Sequence, residues 1–404
     1  MGRTYDKNNV LKMRKNTARH IGIVEPRYFT FAQPPDEFIL ESNDRIGPVT
    51  LAYETYGELN EDRTNGVLVL HALTGDAHAA GYHRGQKAAG WWHDMIGPGL
   101  AFDTDKYFVI CSNVLGGCRG STGPSSLNPL TQKPYGLDFP LVTIRDMVDA
   151  QRRLVRHLGI EKLLTVVGGS MGGMQVLQWV VSYPDMVASA ILIATTWEHT
   201  PQQIAFNEAG RQALMADPNW NDGDYYGKRL PEKGLSVARM IGHITYMSDT
   251  SMSEKFGRRT KEGVKFKFGP KFEVESYLHY RGYDFVKRFD PNSYLYMTRA
   301  ADYFSMADYR LNGKLLEGIK TKLLVIAFSG DWLYPPYQSQ HIVKICRASG
   351  LDAKCHILRS HYGHDAFLVE FDEQTRLYKR FLKNVHETTF GPKNVPTFIK
   401  SLYG

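Results

Sequence analysis

Three residues far apart in the chain have the types that acyl transfer needs. The segment Gly168-Gly169-Ser170-Met171-Gly172 follows the apolar run Leu163–Val167 and precedes the helical run Met174–Val181. A serine on a tight strand-to-helix turn, with glycines that let backbones pass closely, presents its hydroxyl at the edge of a sheet. The positive end of the helix behind it favours developing negative charge. A serine hydroxyl is a poor nucleophile until a base takes its proton. The apolar run Lys322–Phe328 ends in Ser329-Gly330-Asp331, which puts an acid at a strand's carboxyl end. Lys354–Leu358 reads as a further strand, and Ser360-His361-Tyr362-Gly363-His364-Asp365 follows it. Serine, acid, histidine is the chain order that this kind of elbow calls for. His364 is the expected base, with His361 as the alternative and His356, inside the strand, expected to be packed.

A tetrahedral intermediate needs two backbone N–H donors. Met171, directly after the serine, supplies one. The loop Leu70-His71-Ala72-Leu73-Thr74-Gly75-Asp76 after an early strand supplies the other, with Leu73 as the candidate. His71, His78, His83 and His93 invite a metal reading, yet no HExxH or cysteine-rich partner accompanies them. They are read as loop or pocket-wall residues, and no metal is expected.

These groups need a scaffold. Expected strands are Val49–Tyr56, Gly66–Leu73, Tyr107–Val114, Leu163–Gly168, Ala188–Thr195, Lys322–Phe328 and Lys354–Leu358. Continuous apolar runs such as Val67-Leu68-Val69-Leu70 fit strands buried on both faces of a parallel sheet. Amphipathic stretches at Thr143–Leu158 and Met174–Tyr183 between them indicate βαβ units. The rhythm breaks between residues 196 and 315, where Gln202–Met215, Gly234–Thr245 and Asn292–Ala307 read as helices. The expected organisation is an irregular leader (1–30), a core in two parts (31–195 and 316–404) and a helical lid (196–315). The fold class is α/β: an α/β-hydrolase fold with a mostly parallel central sheet and a helical lid insertion over its carboxyl edge.

Composition agrees with a globular enzyme of 404 residues, 43% apolar and 23% charged. The net charge of +7 is spread along the chain, densest at Lys12–Arg19 and Arg258–Lys267, without a nucleic-acid-binding motif. Attraction of an anionic thioester is the sharper use of that excess, a solvated surface the plainer one. The four cysteines show no metal or disulfide spacing, and Met1 to Ala18 lacks an apolar signal core. With no membrane-length apolar run, a soluble cytoplasmic protein is expected, binding neither nucleic acid nor membrane.

Beyond these motifs, the chain resembles the homoserine O-acetyltransferase family from about Phe29 to Leu382. The resemblance rests on His71-Ala72-Leu73-Thr74-Gly75-Asp76, Gly90-Trp91-Trp92, Ile96-Gly97-Pro98-Gly99 and Cys111-Ser112-Asn113-Val114-Leu115-Gly116-Gly117-Cys118. It continues through Thr122-Gly123-Pro124, Pro134-Tyr135-Gly136-Leu137-Asp138-Phe139-Pro140 and Gly168-Gly169-Ser170-Met171-Gly172-Gly173-Met174. It closes with Ala238-Arg239-Met240-Ile241-Gly242-His243-Ile244-Thr245-Tyr246, Asp331-Trp332-Leu333-Tyr334-Pro335-Pro336 and Gly363-His364-Asp365-Ala366-Phe367-Leu368. The resemblance implies Ser170, Asp331 and His364 as a triad, and Arg239 and Asp365 as holders of a zwitterionic amino acid. It also implies acetyl-CoA as co-substrate with no permanently bound cofactor, L-homoserine as acceptor, O-acetyl-L-homoserine for methionine synthesis as product, and a homodimer. Succinyl-using relatives tend to carry arginine where this chain has Leu333, so acetyl is the expected acyl group. Succinyl transfer, serine as acceptor, and a simple esterase remain the alternatives within this chemistry; a non-catalytic binding module of the same fold is the alternative outside it.

Overall fold

The structure, a computed structural model, is described for residues 20–261, 268–307 and 316–391. The basic cluster Lys12–Arg19 and the end of Arg258–Lys267 lie outside these residues. Among the described residues the strands are β1 (Arg27–Phe31), β2 (Phe38–Ile39), β3 (Arg45–Ile46), β4 (Val49–Tyr56), β5 (Gly66–Leu70), β6 (Phe108–Ser112), β7 (Thr165–Gly169), β8 (Ser189–Ile193), β9 (Lys322–Phe328) and β10 (Ala353–Leu358). Eight form one sheet in the order β1-β4-β6-β5-β7-β8-β9-β10, while β2 and β3 make a separate pair. From β6 to β10 every pairing is parallel; β1 and β4 run antiparallel. Every residue of β5, β6, β7 and β8 is buried, which is why these strands read as unbroken apolar runs rather than alternating ones.

The helices are α1 (Ile144–His157), α2 (Met171–Ser182), α3 (Pro201–Met215), α4 (Glu232–Tyr246), α5 (Asp249–Phe256), α6 (Glu273–Val286), α7 (Pro291–Tyr303), α8 (Pro336–Ala348) and α9 (Asp372–Thr389). Helix α1 starts at a capping box in which Thr143 and Asp146 satisfy each other's backbone N–H groups. Its apolar side packs on the sheet through Met147, Leu154 and Val155. Helix α2 carries almost no polar face because it lies buried against the sheet. Helices α3, α4, α6 and α7 come together over a small core of their own, made by Leu214, Leu235, Ala238, Phe285 and Tyr294.

Several expectations need correction. The leader reading of residues 1–30 fails at its end, because Arg27–Phe31 is an edge strand paired with β4. Its alternation is faint because most of this edge strand is exposed and only Phe31 is buried. Helices α5 and α6 were missed: both have weak apolar stripes, and α6 is rich in tyrosine and charge. After the His364 loop the chain makes a 3₁₀ turn at Gly363–Leu368 before α9 starts at Asp372. His356 is exposed on β10, which lies at the sheet edge. Among the described residues no helix is long and apolar enough to cross a membrane.

Candidate active site

Ser170 sits between β7 and α2 with φ 57° and ψ −125°, a strained conformation for a residue with a side chain. The surrounding glycines make that turn possible. A Cβ on Gly172 would lie 2.2 Å from the Leu70 carbonyl oxygen, and one on Gly173 2.5 Å from Cβ of Thr195. Met171 opens α2, so its N–H has no acceptor within the helix. Leu73, on the turn after β5, lines the same pocket as Ser170 and Met171.

Asp331 and His364 arrive from the ends of β9 and β10, neighbouring parallel strands. His364 Nδ1 lies 2.7 Å from Asp331 Oδ2, with both side chains buried. The other carboxylate oxygen, Oδ1, accepts from the backbone N–H groups of Leu333 at 3.0 Å and Tyr334 at 2.8 Å. The carboxylate is thus locked, and the imidazole is held with Nδ1–H donating and Nε2 free to accept a proton. The rival His361 is half exposed and faces Glu254 at 3.3 Å, away from Asp331. The segment after α4 is tied to these loops as well: Trp332 Nε1 donates to the Met247 carbonyl at 2.9 Å, and the Ser248 hydroxyl bonds the His361 carbonyl.

Sequence reasoning expects the Ser170 hydroxyl to bond the imidazole directly. In the structure His364 Nε2 is buried without a hydrogen bond. The Tyr334 phenol lines the same pocket as Ser170, and its ring stacks on the imidazole with centroids 4.8 Å apart. Burial pushes the Tyr334 phenol up, so it stays protonated. The pocket around Ser170 is also lined by His199, Gln203, Asn207, Leu333 and Tyr246. Of these only Leu333 was given a role from the sequence; His199 precedes α3, Gln203 and Asn207 share one face of α3, and Tyr246 ends α4, places that the fold alone brings together.

Arg239, on α4, donates from Nη1 to the Thr74 hydroxyl at 3.1 Å and lies over the rings of Phe285 at 4.7 Å and Tyr246 at 5.6 Å. Asp365 follows His364 directly. Burial pushes its carboxyl up, with the His364, Arg239 and Arg281 charges opposing. Cationic groups dominate this side of the lid. Burial, reinforced by Arg239, Arg281, Lys255 and Arg288, drives His243 down to about 3.

The four early histidines split. His71 is buried and accepts from the Val114 N–H at 3.2 Å, and His93 accepts from Gly81. His78 and His83 instead share the buried Glu54 of β4, at 3.0 and 2.6 Å, with their rings 3.8 Å apart. This is the group among the described residues whose donor atoms lie close enough, within 4.8 Å, to be weighed as metal ligands. Each imidazole nitrogen meets its own carboxylate oxygen at hydrogen-bond distance, and the Tyr56 hydroxyl donates to the same carboxylate at 2.8 Å. The cluster therefore works as a clamp joining β4 to the loop that follows Leu73. Local sequence did not reveal it, since nothing in the spacing of Val49–Tyr56 ties Glu54 to histidines more than twenty residues on.

The exposed Arg258, Arg259 and Lys261 stand at the lid surface, where Arg259 pairs with Glu273 at 2.7 Å. The four cysteines are free thiols.

Comparison with known proteins places this arrangement. The family model described as alpha/beta hydrolase fold matches residues 65–371. The homoserine O-acetyltransferase of Methanohalobium evestigatum is 57% identical over 384 residues, covering 94% of this chain and 77% of that protein. That of Solidesulfovibrio magneticus is 55% identical over 369 residues, covering 90% of this chain and 93% of its own length. Among solved structures, homoserine O-acetyltransferase from Bacillus anthracis superposes with a TM-score of 0.83 at 29% identity, over 89% of this chain and 98% of that one. Esterase E22 superposes with a TM-score of 0.81 at 32% identity, over 89% of this chain and all (100%) of that one. The chain belongs to the homoserine O-acetyltransferase family, within the α/β-hydrolase fold.

Proposed function

We propose that this enzyme moves an acetyl group from acetyl-CoA to the hydroxyl of L-homoserine by a ping-pong route through an ester on Ser170, giving O-acetyl-L-homoserine for methionine biosynthesis. The observation that carries the reading is a strained serine elbow that shares its pocket with Tyr334, whose ring stacks on the imidazole of the buried His364–Asp331 pair. His364 Nε2 takes the Ser170 proton as the hydroxyl attacks the thioester carbonyl. The N–H groups of Met171 and Leu73 stabilise the oxyanion. The C–S bond breaks, the CoA thiolate takes the proton from His364 and leaves, and the acetyl group stays on Ser170. The homoserine hydroxyl then gives its proton to His364 and attacks the ester carbonyl. The Ser170 oxygen leaves, recovering its proton from His364.

Arg239 suits the homoserine carboxylate and Asp365 its ammonium, which aims the side-chain hydroxyl at the ester. The cationic field on that side of the lid supports an anionic visitor. Leu333 offers no charge for a second carboxylate, so a buried succinyl group would be unpaired at a cost of several kcal/mol. Arg258, Arg259 and Lys261 are available to CoA phosphates from the lid rim. A cytoplasmic homodimer joined through the lid completes the proposal.

The likeness to esterase E22 makes water the competitor for the acyl-enzyme. Incubation with acetyl-CoA and excess L-homoserine, read by mass spectrometry, separates the two. O-acetyl-homoserine is the expected product; free acetate alone refutes transfer. Parallel arms with succinyl-CoA and L-serine give much slower turnover. Ser170→Ala removes the acetyl mass increment from the protein, and retained turnover in that variant refutes the covalent route.

A further inference from the structure

The lid carries more positive charge than one amino-acid carboxylate needs. Arg239 is the inner cation. It lies 5.6 Å over the ring of Tyr246, and that ring stands 6.0 Å from the His364 imidazole. A second pair of cations stands further out. Lys255, near the end of α5, holds Nζ 4.5 Å over the ring of Tyr277 on α6, and Arg281 holds its guanidinium 5.4 Å over the same ring. Both are exposed, whereas Arg239 is half-buried. Phe256 packs on the Tyr277 ring at 4.9 Å and steadies it. Helix α4 joins the two stations. The Tyr277 hydroxyl lies 3.1 Å from Nδ1 of His243, which follows Arg239 by one helical turn, and the His243 ring lies 5.9 Å from Tyr246.

Two cations on one ring repel each other unless an anion stands between them. Among the described residues, neither Lys255 nor Arg281 has a carboxylate within ion-pair distance. The nearby acids are taken: Glu254 faces His361 at 3.3 Å, and Glu273 pairs with the rim residue Arg259 at 2.7 Å. Burial and the neighbouring Arg281 charge push the Lys255 ammonium below its ordinary value, with Asp365 opposing them. Asp365 is also shared with Arg239 and His364, so it does not neutralise the outer pair. Both cations lie within 5.4 Å of one ring centre, so a group about as wide as that ring reaches both. A diphosphate has that width and offers each cation its own oxygens.

We propose that Lys255 and Arg281, held on the ring of Tyr277, bind the diphosphate of the CoA thioester. The proposal rests on the reading of this enzyme as a CoA-dependent acyltransferase. The pantetheine arm then runs inward past Tyr246, which lines the pocket of Ser170. Donor and acceptor use different cations along one wall: the outer pair takes the phosphates, and Arg239 takes the homoserine carboxylate. The rim residues Arg258, Arg259 and Lys261 add only a wider attraction.

The test compares two donors in the full-length enzyme: acetyl-CoA, and S-acetyl-pantetheine, which keeps the thioester and the arm but has no phosphate. O-acetyl-homoserine is read by mass spectrometry. Lys255→Ala and Arg281→Ala are each expected to raise KM for acetyl-CoA by about three- to ten-fold with kcat retained, and the double variant by more. KM for L-homoserine and kcat/KM for S-acetyl-pantetheine are expected to stay at the parent values. Inorganic diphosphate is expected to compete with acetyl-CoA in the parent enzyme and to lose that effect in the double variant. Melting curves identify the folded variants, and either single variant is sufficient. An unchanged KM for acetyl-CoA, an equal loss with both donors, or a rise confined to KM for L-homoserine overturns the phosphate site and leaves acetyl transfer standing. Where the phosphate-free donor turns over too slowly to read, equal inhibition of parent and double variant by diphosphate overturns it. No O-acetyl-homoserine from acetyl-CoA in the parent enzyme overturns both.

Discussion

Asp331→Asn is the substitution whose consequences the geometry constrains most tightly. The carboxylate makes three hydrogen bonds: Oδ2 to His364 Nδ1 at 2.7 Å, and Oδ1 from two backbone N–H groups at 3.0 and 2.8 Å. An amide has one oxygen to place. With the oxygen facing the two backbone donors, the NH₂ faces His364 and demands a lone pair at Nδ1. The imidazole must then carry its proton on Nε2, where it cannot accept one from Ser170. With the amide flipped, His364 keeps the working tautomer, but the NH₂ opposes two backbone N–H groups. Two hydrogen bonds are lost at about 1 kcal/mol each, before any repulsion between the opposed donors. The enzyme takes the less costly route, so about 2 kcal/mol sets the floor, or a loss of roughly 30-fold in rate. The wrong-tautomer route sets the ceiling near 10⁴-fold, the drop seen for the equivalent change in a serine protease triad. Steady-state kcat/KM with acetyl-CoA and L-homoserine near neutral pH measures it, with a melting curve as control. A loss under ten-fold in folded protein refutes the assignment of Asp331 as the orienting acid.

Three further outcomes follow from other contacts. Arg239→Lys replaces a planar fork by a point charge, so KM for homoserine rises by about ten- to hundred-fold while Ser170 still acylates from acetyl-CoA; loss of acylation instead places Arg239 elsewhere in the mechanism. Glu54→Gln leaves two imidazoles sharing an amide in a buried site and lowers unfolding free energy by about 3 kcal/mol in denaturant titration, while an unchanged midpoint refutes the clamp. In the parent enzyme burial opposes ionisation of Glu54, but the hydrogen bonds from His78, His83 and Tyr56 prevail and hold its carboxyl below the ordinary 4.5. Its contribution is therefore fully present above pH 4.5 and is lost as pH falls through the lower, folded-state value, a loss that Glu54→Gln should not show. Gly172→Ala puts a methyl group 2.2 Å from the Leu70 carbonyl oxygen, backbone against which neither side can yield, and should leave little soluble protein; a stable, active variant contradicts the elbow packing.

The sequence alone carried the elbow and the candidate acid and base, because each is a local pattern. Ser170 needs small neighbours and a strand-to-helix change, and Asp331 and His364 follow strands whose apolar runs are long enough to read. The parallel core was legible for the same reason: burial on both faces leaves continuous Val, Leu and Ile. Strand β1 and helices α5 and α6 were not, since an exposed edge strand and polar, tyrosine-rich helices have weak periodicity. Tertiary structure alone decided who pairs with whom. Glu54 meets His78 and His83 across more than twenty residues of chain, and His199 meets Tyr334 on one side and Asp302 on the other, from three separate segments. Local spacing contains no trace of such encounters, because a hydrogen bond between distant segments depends on how strands and helices stack. That packing also chose His364 over His361, by turning one imidazole inward to Asp331 and leaving the other beside Glu254 at the surface.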